Sequence, residues 1–159
     1  MEPRFNLFDS PTAAKVAKRF YNAALALEGS TLSKTLSELV QLRVSQLNGC
    51  GFCVDIHTKE AAAAGETALR LHLVAAWRHS TVFTEAERAA LALAEEGTRL
   101  GDHGVSDGTW AEVRKHYDDD EVGALVCLVS LINAATRMSV IVHNPGGSYE
   151  PGMFAGTSS

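Results

Sequence analysis

The chain has 159 residues, 46% of them hydrophobic, and 14 Lys+Arg against 19 Asp+Glu give it a formal net charge of −5. A length of this order suits one domain that needs no disulfide or metal staple. The acidic balance, without a basic block, argues against nucleic-acid or anionic-membrane binding as the main task. Residues 1–10 carry Glu2 and Asp9 and no apolar run, so no signal or transit peptide is read there and a cytoplasmic location is expected. Three cysteines, an odd number, in a reducing compartment point to catalysis or metal binding rather than a disulfide framework.

With 23 alanines, 4 prolines and apolar residues at helical spacing, the chain is predicted to be all-α, with about six to seven helices and no strand. Ser10 and Pro11 open the first helix, whose stripe is Val16, Phe20, Ala24 and Leu27, and Gly29 ends it. The second runs from about Thr31 to Leu47, with Leu32, Leu36, Leu39, Val40, Val44 and Leu47 on one face and Glu38, Gln41, Leu42 and Ser45 opposite. Asn48-Gly49 breaks the chain before a third helix from Cys50 to Gly65, and a fourth covers Glu66 to Arg78. Thr84 and Glu87 form a capping box for a fifth, which ends near Gly101 and carries a Glu95/Arg99 pair. Ser106 or Asp107 caps a sixth bearing Trp110, Val113 and Tyr117. The acidic run Asp118 to Glu121 starts the seventh, a long helix over Val122 to Val142 that is apolar almost all round. Ser130, Asn133, Thr136, Arg137 and Ser139 interrupt it, so it reads as a buried helix of a soluble protein, not a membrane span. A helix this apolar calls for enclosure by a second copy of the chain. One domain over 1–159 is expected, with a core at about 10–143 and a loose or partner-draped tail at 144–159, rich in Gly and Pro.

Reactive side chains concentrate in one stretch, Asn48-Gly49-Cys50-Gly51-Phe52-Cys53-Val54-Asp55-Ile56-His57. At about 100° per residue, Cys50, Cys53 and His57 fall within an arc of roughly 60° on one helix face. The His57 imidazole leans back over Cys53 and can take its proton, while Cys50 gains from the unpaired amides of the helix end; both effects favour thiolate. Three readings compete. In the first, one thiolate attacks an oxidant or disulfide and the other closes a Cys50–Cys53 bridge. In the second, Cys50, Cys53 and His57 ligate zinc, which is disfavoured because no second ligand pair exists elsewhere. In the third, both thiols are small buried hydrophobes.

Glu38, Cys50-x-x-Cys53 and His57, in this spacing, resemble the signature of the alkylhydroperoxidase D (AhpD)-like, carboxymuconolactone decarboxylase-related family. The similarity extends through Ala76-Trp77-Arg78, Phe83 to Arg88 and Leu131-Ile132-Asn133, so it spans roughly Leu32 to Val142. The resemblance implies an all-α AhpD-like fold, a homotrimer or homohexamer, and no metal or organic cofactor. It implies Cys53 as the peroxidatic thiol deprotonated by His57, Cys50 as the more exposed resolving thiol, and Glu38 as completing the proton relay. Periodicity taken alone leaves Glu38 a solvated carboxylate. The reaction implied is reduction of a peroxide or a small disulfide, with a lipoyl-bearing adaptor or a thioredoxin-like protein as dithiol donor. Phe52 stands where the best-characterised branch of the family has a histidine, a departure that favours disulfide reduction over peroxide turnover. The alternatives are a lactone decarboxylase, which leaves the cysteine pair without a task, and a redox-sensing or metal-binding oligomer that turns over nothing.

Elsewhere, Cys127 is expected to pack as a small hydrophobe and Trp77 to serve packing. His72, His79, His103, His116 and His143 lack metal-ligand spacing. Asn133 and Arg137, one turn apart in the apolar helix, are expected to join an inter-helix or inter-subunit hydrogen-bond network with an Asp or Glu as partner.

Overall fold

Short side-chain caps set where most of the helices begin in the computed structural model, which describes residues 2–154. Ser10 accepts the Ala13 amide and, with Pro11 in the first turn, opens α1 (Pro11–Glu28), which Gly29 closes. Ser33 accepts the Leu36 amide at the start of α2 (Lys34–Leu47), a few residues later than the pattern suggested. Cys50 caps α3 (Gly51–Ala63). The predicted fourth helix divides into α4 (Ala68–Leu73), capped by Thr67, and a 3-10 segment Val74–His79, within which the backbone leaves helical geometry at Ala76. Thr84 and Glu87 form the capping box of α5 (Glu85–Thr98). Ser106 caps α6 (Asp107–His116), and Asp118 with Glu121 form a second capping box for α7 (Asp119–Ile141). The described residues contain these seven α-helices and no strand, only an isolated bridge between Gly101 and Gly104.

The core forms on both sides of α2. Leu36, Val40 and Val44 pack with Ala89, Ala90, Leu93 and Ala94 of α5, Val113 of α6 and the inner face of α7, Leu125 to Ile132. Leu39 and Leu42 turn the other way, into a cluster with Val74, Trp77, Phe83 and Leu91. A helix enclosed on two faces buries polar positions as well, and Glu38 and Ser45 are buried along with its leucines and valines. Trp77 packs in that second cluster, as expected, and donates its indole N–H to Glu95 at 2.9 Å.

Several expectations are corrected. The apolar stripe of α1 is not enclosed: α1 rests on α7, has no fully buried residue, and leaves Val16 41% exposed. Glu95 does not pair with Arg99. Arg43 lies 2.6 Å away across the α2–α5 interface and Arg78 at 2.9 Å, and these fixed guanidinium groups with the Trp77 indole hold its carboxyl below the usual range although burial opposes this. Cys127 is exposed on the outer face of α7 rather than packed. Residues 144–154 are not loose: Asp55 and Glu60 of α3 accept their amides, and Tyr149 is buried. Residues 155–159 of the expected tail lie outside the described residues.

Among the described residues α7 is the one helix long and apolar enough to span a membrane by length and composition. In the fold its inner face, Val122, Leu125, Val129, Ile132 and Thr136 among others, packs against α1, α2 and α5.

Candidate functional site

The site is built on the hairpin of α2 and α3. Asn48 closes α2, Gly49 turns the chain at φ +66°, a left-handed conformation that favours glycine, and Cys50 begins α3 three residues after α2 ends. The two helices run antiparallel in a register that sets Ser45 against Cys50, Glu38 against His57 and Lys34 against Glu60.

Cys50 occupies the N-cap, where its amide donates to the Ser45 carbonyl at 3.0 Å and its Sγ accepts the Cys53 amide at 3.2 Å. Cys50 and Cys53 are joined in a disulfide, with Cα atoms 5.3 Å apart. Both are buried, Cys50 at 1% and Cys53 at 5% exposure, so Cys50 is not the more exposed of the pair in this chain. The turn that carries Cys50 is held against its neighbours, its own amide on the Ser45 carbonyl of α2 and Asn48 on Asn133 and Thr136 of α7. One turn beyond Cys53, His57 Nδ1 stands 2.8 Å from Glu38 Oε2. Glu38 is 8% exposed, so the solvated position that periodicity suggests is not where the fold puts it. α3 covers that side of α2. A buried carboxylate on Nδ1 fixes the imidazole so that Nδ1 carries the proton and Nε2 is left as the acceptor.

The structure thus brings all four candidate residues, Glu38, Cys50, Cys53 and His57, to one place. It adds a set that sequence reasoning did not assign to the site. Asn48 donates to Asn133 Oδ1 at 2.9 Å and to Thr136 Oγ1 at 2.8 Å, which ties the turn before Cys50 to α7. Asn133 in turn donates to Thr98 Oγ1 at 3.0 Å and accepts from Arg137 at 2.6 Å. The network expected around Asn133 and Arg137 therefore exists, but its partners are amide and hydroxyl groups rather than acids. Asn48 sits beside Gly49, and that turn was the available signal for it.

Among the described residues no cluster of three or more His, Cys, Asp or Glu is arranged to hold a metal ion. Two cavities of about 280 and about 440 Å³ open elsewhere, one beside Trp77, Arg78 and Arg88 and the other beside Leu27, Asp120 and Cys127, and neither is lined by the cysteine pair.

Residues 11–96 match the carboxymuconolactone decarboxylase family. The chain is 38% identical over 119 residues to the uncharacterized protein YdfG of Bacillus subtilis, covering 75% of this chain and 81% of that one. Its fold superimposes on a protein of unknown function from Agrobacterium tumefaciens, described as a candidate AhpD antioxidant defence protein. The TM-score is 0.85 at 30% identity, over 93% of this chain and 100% of that one. It also superimposes on the debrominase Bmp8, with a TM-score of 0.76 at 16% identity over 89% and 75% of the two chains, a likeness of fold alone.

Proposed function

Since this chain belongs to the carboxymuconolactone decarboxylase family, we propose that its Cys50–Cys53 pair cycles between dithiol and disulfide to reduce hydroperoxides or small disulfides. The observation that carries this reading is the bridge between Cys50 and Cys53 within the first turn of α3, one turn from the His57–Glu38 couple.

In the reduced protein His57 Nε2 takes the Cys53 proton, and Glu38 holds the imidazole in the orientation and tautomer this requires. The Cys53 thiolate attacks the distal peroxide oxygen. The O–O bond breaks, the alcohol or water leaves with a proton returned through His57, and Cys53 becomes a sulfenic acid. The Cys50 sulfur sits where the Cys53 amide and the N-terminal end of α3 favour negative charge. As thiolate it attacks the sulfenic sulfur, displaces water after protonation of the leaving hydroxide, and forms the Cys50–Cys53 disulfide. A dithiol donor, a lipoyl-bearing adaptor or a thioredoxin-like protein, then returns two electrons and two protons. The same reading places the chain in the cytoplasm as a homotrimer or homohexamer.

The test is steady-state consumption of tert-butyl hydroperoxide with excess dithiol. Cys53→Ser is expected to remove turnover, and Cys50→Ser to leave one round of peroxide reduction without recycling by the pair. Should the natural sequence consume no peroxide while its pair exchanges with small disulfides, the reaction is disulfide reduction, in line with Phe52 between the cysteines. A pair that does neither overturns the proposal.

A further inference from the structure

The chain's last described segment returns to the helix that carries the disulfide. Gly146 lies on the first turn of α3 so closely that a Cβ there would collide with the Gly51 carbonyl oxygen, 2.7 Å from its carbon and 3.2 Å from the Phe52 nitrogen. Backbone atoms cannot step aside as a side-chain tip can, so only glycine fits this seat. Beyond it, the Asp55 carboxylate accepts the Gly147 amide at 2.7 Å and the Tyr149 amide at 3.0 Å. Lys59, paired with Asp55 at 2.9 Å, donates to the Tyr149 carbonyl at 2.6 Å. Glu60 accepts from the Tyr149 hydroxyl and, at 2.8 Å, from the Gly152 amide. Tyr149 is 4% exposed and stacks on Phe154, whose carbonyl accepts from Tyr21.

Exchange at a disulfide needs a thiolate to approach one sulfur along the S–S axis. Both sulfurs belong to residues that are almost fully buried, so a donor reaches them only when the first turn of α3 opens locally. That turn is tied on one side to α2 and α7 through the Cys50 amide and Asn48. On the other side Gly146 packs against its backbone, and the segment that carries Gly146 is bonded to Asp55, one turn further along α3.

We infer that residues 144–154 form a strap, seated by Gly146 and latched by Asp55, Lys59 and Glu60, that sets how fast a dithiol can open the Cys50–Cys53 disulfide. Gly146 and Asp55 are positioning residues in this scheme. It rests on the redox reading of the pair. In the step it controls, a donor thiolate attacks one sulfur and the S–S bond breaks. The other cysteine leaves as thiolate and is protonated. The donor's second thiolate then attacks the mixed disulfide and frees the remaining cysteine, so the donor ends as a disulfide that has supplied two electrons and two protons.

The experiment uses the full oxidised chain, dithiothreitol as donor, and quenched alkylation with mass measurement to follow the pair. Gly146→Ala and Asp55→Ala are compared with Gly123→Ala, a control in α7 where an added Cβ meets open space. Circular dichroism verifies the fold, and hydrogen exchange of residues 144–154 verifies release. Losing about one hydrogen bond's worth of restraint predicts reduction roughly tenfold faster in both strap variants and unchanged in the control. An unchanged rate with released strap amides overturns the inference, as do strap amides that stay protected in both variants. Peroxide turnover is followed on the same samples. Strap-dependent reduction in a chain inert to peroxide removes the peroxidase reading and keeps the strap, whereas strap-independent reduction in an active peroxidase does the reverse. A pair that resists dithiothreitol in every variant overturns both.

Discussion

Glu38 shows what a single carboxylate gains from its position. It is buried against α3 and contacts His57 Nδ1 at 2.8 Å, so its charge acts on one ring nitrogen in a weakly polar setting rather than on solvent. Glu38→Gln keeps the shape and removes the charge that favours a proton-bearing Nδ1 and a basic Nε2. Peroxide turnover is expected to fall about a hundredfold, the scale of a general base placed wrongly. Glu38→Asp restores part of it, and the pair still oxidises in both variants, as thiol counting would verify. Equal activity of Glu38→Gln and the natural sequence removes Glu38 from the relay. Cys53 and His57 could be read from spacing on one helix, because residues three and four apart share a face. Glu38 could not be read from its own helix. Its partner is 19 residues away in sequence, and only the family pattern brought it to the site before the fold did.

At the scale of elements, α3 serves two neighbours at once. One face carries Cys53 and His57 toward α2, and another carries Asp55, Lys59 and Glu60 beneath the strap. Lys59 and the Tyr149 and Gly147 amides hold the Asp55 carboxyl down to about 2, from an ordinary value of 3.8, against the opposing effect of burial. The folded value lies below the unfolded one, so Asp55 contributes stability that is fully present above about 3.8 and is lost as pH falls through about 2. The amide resonances of Gly147 and Tyr149 are therefore expected to move with a midpoint near 2. A midpoint at the ordinary carboxylate value would mean that the latch does not form in solution. Helix starts were legible at this scale, since Ser10, Thr84, Ser106 and Asp118 each act on amides within three residues. The course of the strap was not. Its composition of Gly, Pro and Ser suits a loose segment, and the bonds that hold it reach about 90 residues back along the chain.

For the molecule as a whole, the distribution of apolar surface is uneven. The outward side of α7 leaves Val126 41%, Val140 40% and Ile141 68% exposed, and α1, resting on the same helix, leaves Val16 at 41%. Apolar groups in water on one side of a single domain favour a partner surface of the same kind. Light scattering is expected to give the mass of three or six chains. Ile141→Glu with Val126→Asp, both at exposed positions of α7, is expected to shift that mass toward one chain while circular dichroism keeps its helical signal. A natural sequence that runs as a single chain at micromolar concentration would refute the assembly.

The all-helical class, the starts of α1, α5, α6 and α7, the break at Asn48-Gly49 and the clustering of Cys50, Cys53 and His57 were legible in the chain, because each depends on residues within about one or two helical turns. Which side of α2 is enclosed, and that Glu38 faces His57, came from the packing of the helices. That packing also decided that Arg43 and Arg78 take Glu95 from Arg99, that Asn48 is tied to α7, and that the chain's end is strapped across α3. Burial and hydrogen-bond partners belong to the packing of distant segments. A periodic pattern describes one helix in water, whereas α2 is packed on two faces and α3 is held on two.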